Sequence, residues 1–375
     1  MKNSGQLSDF WYRIRNEGDI PSPALLIYPE RIEENILRMI RISGGSDTLR
    51  PHVKTHKMSE IVKLQLKHGI HKFKCATIAE AEMTAHAGAK DIMLAYQPVG
   101  PAVDRFLTLG EKFGEAHFSC ITDNESIIQQ LSDAAIGRNT VIRVWLDINA
   151  GMNRTGVNPD KYAVKLYRMI IDKPGLKAEG LHVYDGHIHD KEFTERKKKC
   201  DEAYSKVILL IKEIMEMTGS QVKVVAGGTP TFPVHTQRTG VDKSPGTTVL
   251  WDYGSASSYR DLDFLYSAVI LTRIISKPGK NLICLDLGHK AIASEMEQPR
   301  IMIFGLDDLN IVGHNEEHMV IFTPDAHRLR VGDILYGVPK HICPTVDRYD
   351  YAVVVKGHEA SSLWNIEARK RKITI

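Results

Sequence analysis

The chain has little of what marks several large protein classes. Its five cysteines, at 75, 120, 200, 284 and 343, include no Cys-x-x-Cys pair. An odd and scattered set argues against a disulfide framework and for a reducing compartment, so the expected location is the cytoplasm. No apolar run approaches the roughly 20 residues that cross a bilayer, and no apolar stretch behind the first residues marks a secretory signal. The net charge is only +3, from 49 Lys+Arg against 46 Asp+Glu. That balance makes no case for nucleic acid or an anionic membrane as partner. No Gly-x-Gly-x-x-Gly follows the first apolar segment, which weakens a dinucleotide-binding fold. Internal repeats and low-complexity tracts are missing as well.

What is present is a rhythm. Short apolar segments at 24–28, 49–54, 72–76, 91–95, 116–120, 140–147, 180–183 and 221–226 alternate with stretches of helical spacing, and 247–250 could be a further strand. Strand and helix in alternation predict a parallel sheet, and this number of repeats fits a (β/α)8 TIM barrel over residues 22–262. An open doubly wound sheet is the alternative. Beyond residue 262 helical period fades and short β-rich segments with turn residues follow. They predict a mostly antiparallel β domain over 263–375, with 364–375 as its last strand. Residues 1–21 read as an arm packing on that C-terminal domain.

Barrels carry chemistry at the C-terminal ends of their strands. In Pro51-His52-Val53-Lys54-Thr55-His56, a lysine follows an apolar run, with His52 and His56 on either side. A lysine amine is a nucleophile toward aldehydes, more so when partly buried. Arg154 lies in a loop between Gly151 and Gly156 and offers a charged fork. Tyr184 could lie flat against a planar cofactor. Gly227-Gly228-Thr229 could converge backbone N–H groups on an anion. His341 and Cys343, two apart, would point to one side of an extended chain and could grip a soft divalent metal such as zinc. Singly these are weak signals, since turns use glycine freely and most lysines are solvated. Together they are the tools for binding pyridoxal 5′-phosphate.

The order Pro-His-Val-Lys54-Thr-His-Lys, Met-Asn-Arg154-Thr-Gly, His182-Val-Tyr184-Asp-Gly-His, Gly227-Gly-Thr-Pro-Thr and His341-Ile-Cys343-Pro-Thr resembles the D-threonine aldolase and D-serine dehydratase branch of the fold-type III pyridoxal enzymes, the alanine racemase-like group. The resemblance runs over nearly the whole chain. It implies a barrel followed by a β domain and a homodimer with its site near the interface. It implies that Lys54 carries the cofactor, Arg154 and Tyr184 meet its ring, and Gly227, Gly228 and Thr229 hold its phosphate. Tyr253 would line the same pocket. His341 and Cys343 would bind a divalent metal (Zn, Mn or Mg) that grips the β-hydroxyl of a D-amino acid, with His52 and His56 as possible bases. Aldol cleavage is the favoured reaction, from the likeness of Leu285–Lys290 and Tyr336–Pro339 to aldolases. Dehydration, racemisation and a non-catalytic carrier of the cofactor are the alternatives.

Overall fold

A computed structural model describes residues 10–375. The chain divides into two compact units. One comprises residues 37–54, 59–246 and 370–375. Its strands Lys72–Cys75, Asp91–Leu94, His117–Thr122, Ile142–Asn149, Leu176–Tyr184, Lys223–Ala226 and Val241–Lys243 form a seven-stranded, wholly parallel sheet in chain order. The segment ending at His52 joins its two edges. Leu49 bridges Lys243 and His52 bridges Lys74, both in parallel sense. The N–H groups of Arg50 and Lys74 reach Lys243 O and Pro51 O at 2.8 and 2.9 Å. Eight parallel segments thus close the predicted barrel. Helices form where strand ends meet a capping side chain: Thr77 accepts from Glu80 N–H, Asn124 from Ser126 N–H and Asp160 from Tyr162 N–H.

The barrel interior is layered. Met93, Ile121, Trp145 and Val225 make a buried apolar layer. Toward the strand N-termini, Arg50 forks onto Asp91 at 2.6 and 3.0 Å, and Lys72 meets Asp242 at 2.8 Å.

The other unit comprises residues up to Ile36, Thr55–Met58 and Thr247–Arg369. It is built on a nine-stranded sheet that is antiparallel in all but one pairing. Strand Ala24–Ile27, which the sequence placed first in the barrel, belongs here. It pairs antiparallel with Ala268–Gly279 and parallel with Tyr351–Lys356. All four of its residues are buried, and an unbroken apolar run specifies a buried strand without specifying its sheet. In the predicted N-terminal arm, Tyr12 and Ile14 pack with Leu26, Val269 and Tyr336. The arm's first nine residues lie outside those described.

Two further segments depart from expectation. Thr247–Val249 is a 3-10 turn, and the last barrel strand is Val241–Lys243, too short for its pattern to be read. The final strand is Glu359–Asn365. The tail beyond it docks on the barrel unit, where the Thr374 and Ile375 N–H groups donate to Glu82 Oε2 at 3.1 and 3.2 Å. Among the described residues, no helix is long and apolar enough to cross a membrane.

Candidate active site

In the barrel unit, the parallel strands bring their C-terminal ends to one mouth. Lys54 follows the closing segment, in the 3-10 turn Val53–Thr55 rather than at the end of a regular strand. Pro51 removes a backbone donor there, which leaves room for bridges but not for a full ladder. Lys54 is half-buried, and its N–H donates to His52 Nδ1 at 3.3 Å. Tyr184 ends strand Leu176–Tyr184, and the Arg154 guanidinium stands 4.9 Å from its ring centre. The loop Gly227–Thr229 follows strand Lys223–Ala226 directly. A Cβ on Gly228 would meet the Tyr184 ring at 3.2 Å. Tyr184 and the glycine loop are therefore in contact, and Lys54, Arg154, Tyr184 and the loop all stand at the same end of the barrel.

Sequence reasoning missed what lies inside this mouth. Lys74 is 2% exposed, and its Nζ stands 5.6 Å from the Tyr184 ring centre. Burial, then the charge of Lys54, lowers its amine to about 7. Asp147 Oδ1 meets His182 Nδ1 at 2.7 Å. Asp147 Oδ2 and His182 Nε2 are buried and have no hydrogen-bond partner among the described residues. Burial lowers the imidazole of His182 despite the carboxylate. The available signal was charge at alternate positions of barrel strands, as in Lys72-Phe73-Lys74. Gly246 was also missed; its N–H donates to Thr229 Oγ1 at 3.1 Å, adding a second loop to the cradle. A separate cavity of about 900 Å³ is lined by Asn149, Asn153, Asp160, His187, His189 and Lys199 among others, and by neither Lys54 nor Tyr184. Side-chain chemistry, rather than volume, locates the site.

In the other unit, His341 and Cys343 do meet, but not as alternate residues of an extended chain. Ile342–Val346 is a short helix with His341 at its N-cap. Burial alone would lower the His341 imidazole; a hydrogen bond to Cys343 and the carboxylates of Glu295 and Asp252 outweigh it and raise it to about 9. Glu295 Oε1 lies 2.5 Å from His341 Nδ1. A carboxylate behind an imidazole is the arrangement that orients metal-binding histidines, and sequence spacing gave no hint of it. Cys343 Sγ lies 3.2 Å from Thr55 Oγ1. Asp252 accepts from Ile342 N–H at 3.0 Å and from Ser255 N–H at 2.7 Å, which ties the His341 loop to the helix begun by Tyr253. His56 is 1% exposed, its Nδ1 accepts from Met58 N–H at 3.1 Å, and burial lowers it to about 3.

These residues fit the groups the sequence implied. A Cβ at Gly227 would run into His235 and Thr231, on which the loop rests, and one at Gly228 would meet the Tyr184 ring, so the loop keeps its bare backbone beside a flat aromatic and an arginine. His341 and Cys343 are a nitrogen and sulfur donor pair suited to a soft divalent metal.

Comparison with known proteins bears on the family and the fold. Residues 27–225 match the alanine racemase N-terminal domain, and residues 267–355 match the putative serine dehydratase domain. The D-threonine aldolase of Arthrobacter sp. is 29% identical over 357 residues, 93% of each chain. The 3-hydroxy-D-aspartate aldolase of Paracoccus denitrificans (strain Pd 1222) is 27% identical over 376 residues, covering 94% of this chain and 93% of its own. The crystal structure of D-threonine aldolase from Filomicrobium marinum superposes with a TM-score of 0.86 at 25% identity, over 94% of this chain and 96% of that one. The fold agrees with these matches, and the chain belongs to the alanine racemase-like family, in its D-threonine aldolase and D-serine dehydratase branch of pyridoxal-phosphate-dependent lyases.

Proposed function

We propose that the chain cleaves the Cα–Cβ bond of D-β-hydroxy amino acids in the manner of D-threonine aldolase, releasing glycine and an aldehyde, with pyridoxal 5′-phosphate and a divalent metal. The observation that carries the reading is the succession of two chemistries in the chain. Lys54 follows the segment that closes the barrel, and the next residue, Thr55, has its hydroxyl 3.2 Å from Cys343 Sγ. When bound, the cofactor supplies an electron sink for the carbanion and the metal supplies a Lewis acid for the β-hydroxyl. Lys54 holds the cofactor's aldehyde. Arg154 and Tyr184 orient its ring, with Tyr253 as a further wall. Gly227, Gly228 and Thr229 take its phosphate. His341 and Cys343 hold the metal, a donor pair favouring zinc over Mn or Mg. His52, half-buried beside the Lys54 N–H, is assigned to proton transfer. His56, held neutral by burial, is assigned to ordering the turn. The active form is a homodimer in the cytoplasm.

The test is a product assay with D-threonine and D-serine in the presence of cofactor and metal. Glycine and acetaldehyde from D-threonine support the aldolase. 2-Oxobutyrate or pyruvate with ammonia would mean dehydration, the reading that the serine dehydratase match over residues 267–355 favours. Activity should fall on chelation and return with zinc, and Lys54→Ala should bring no yellow colour with the cofactor. Turnover that survives full chelation would remove the metal from the proposal.

A further inference from the structure

Behind the glycine loop lies a buried group that the proposed chemistry leaves unused. Asp185 is 3% exposed, and Cys200 and His235 are each 1% exposed. Asp185 Oδ1 accepts from Thr231 Oγ1 at 2.7 Å, and Oδ2 lies 2.8 Å from His235 Nε2. Arg238 Nη1 stands 2.8 Å from His235 Nδ1. A guanidinium can only donate, so Nδ1 accepts and Nε2 carries the proton toward Asp185. Thr231 Oγ1, its proton given to Asp185, accepts the Gly228 N–H at 3.2 Å. Gly227 has φ +78°, and a Cβ there would meet His235 Cδ2 at 2.6 Å and Thr231 Oγ1 at 3.0 Å. The loop backbone rests on these side chains.

Asp185, Cys200 and His235 bring oxygen, sulfur and nitrogen atoms close enough for a metal ion. The hydrogen bonds point elsewhere. Cys200 Sγ faces Asp185 Oδ2 at 3.5 Å and the Arg238 guanidinium at 3.7 Å. Burial pushes the thiol up to about 12, so a metal would have to displace its proton on binding. A guanidinium beside the would-be ligands also opposes a second cation.

We propose that Asp185, Thr231 and His235 are positioning residues for the anion cradle, holding the Gly227–Gly228 backbone in the shape that takes the phosphate of the cofactor. The chain of contacts is short: carboxylate to hydroxyl, hydroxyl to the Gly228 N–H, imidazole against the Gly227 Cα. Asp185 also follows Tyr184, so one carboxylate ties the strand end that meets the ring to the loop that meets the phosphate. The inference rests on the pyridoxal phosphate reading above.

The test compares binding of pyridoxal 5′-phosphate with binding of pyridoxal, which lacks the phosphate but keeps the aldehyde. Thr231→Val preserves shape and removes both hydrogen bonds; Thr231→Ser keeps them. Thr231→Val should weaken pyridoxal 5′-phosphate about tenfold, the worth of one to two hydrogen bonds, and leave pyridoxal within twofold. Thr231→Ser should behave as the parent with both compounds. His235→Gln carries the same comparison if Thr231→Val does not fold. Equal affinity of variant and parent for pyridoxal 5′-phosphate would overturn the inference, as would equal loss of both compounds. A parent that colours with neither compound overturns the cofactor reading and this inference with it.

Discussion

At the scale of the residue, the unusual group is Lys74. A buried lysine is costly while charged, and its amine is lowered from an ordinary 10.5 to about 7, by burial first and then by Lys54. The folded state therefore holds fewer protons than the unfolded chain between about pH 7 and 10.5. Stability from this group is intact above that window and is lost as pH falls through it. Lys74→Met should raise the melting temperature at pH 7, with the gain shrinking toward pH 10. Melts at the two pH values check this, and a variant less stable than the parent at pH 7 contradicts it. A residue that costs stability at the mouth, near the Tyr184 ring, is the kind retained for activity rather than for folding. The same scale shows which roles spacing can carry. Lys54, His341 and Cys343 stand out in the sequence because their neighbours make motifs; Glu295, Asp147 and Asp185 do not, because their partners are distant in the chain.

At the scale of the element, the decisive piece is the segment from Leu49 to His52. It is bridged at Leu49 and His52 to the two edges of the parallel sheet, so it closes the barrel with few bonds of its own. Arg50 within it is 2% exposed and holds Asp91 and Asp242. Removing one partner of a buried ion pair costs about 3–5 kcal/mol, but the Asp91 side chain is 42% exposed, and water screens that half of the contact. Arg50→Met should cost about 2 kcal/mol, read from denaturant midpoints at unchanged slope. A loss within the noise of a surface substitution would mean that the backbone bridges alone close the barrel. The helices were legible from 3.6-residue periodicity. The strand Ala24–Ile27 was legible as a strand and illegible as to its sheet, for it is buried on both faces and carries no alternation.

At the scale of the whole molecule, the barrel mouth carries apolar surface. In the loop after strand Asp91–Leu94, Tyr96 is 62% exposed and Val99 is 48% exposed. Apolar side chains left open beside a site suit a covering subunit, and we expect a homodimer with a mass near twice 42.1 kDa. Sedimentation of the purified chain at micromolar concentration measures it, and a 42.1 kDa particle that retains full activity would rule the dimer out as a requirement.

The amino-acid sequence by itself determined the alternation that makes a parallel barrel, the change to short β segments after residue 262, and the lysine, glycine and His-x-Cys motifs. All of these are local patterns, and local backbone preference and side-chain period dictate them. Only the tertiary structure decided which sheet receives Ala24–Ile27, that His341 and Cys343 meet at the start of a short helix, and that Lys74, Asp147 and His182 fill the mouth. It alone joined Asp185 to Thr231 and His235. Each of those depends on contacts between residues far apart in the chain, whose free energy is set by burial and by pairing that no local window contains.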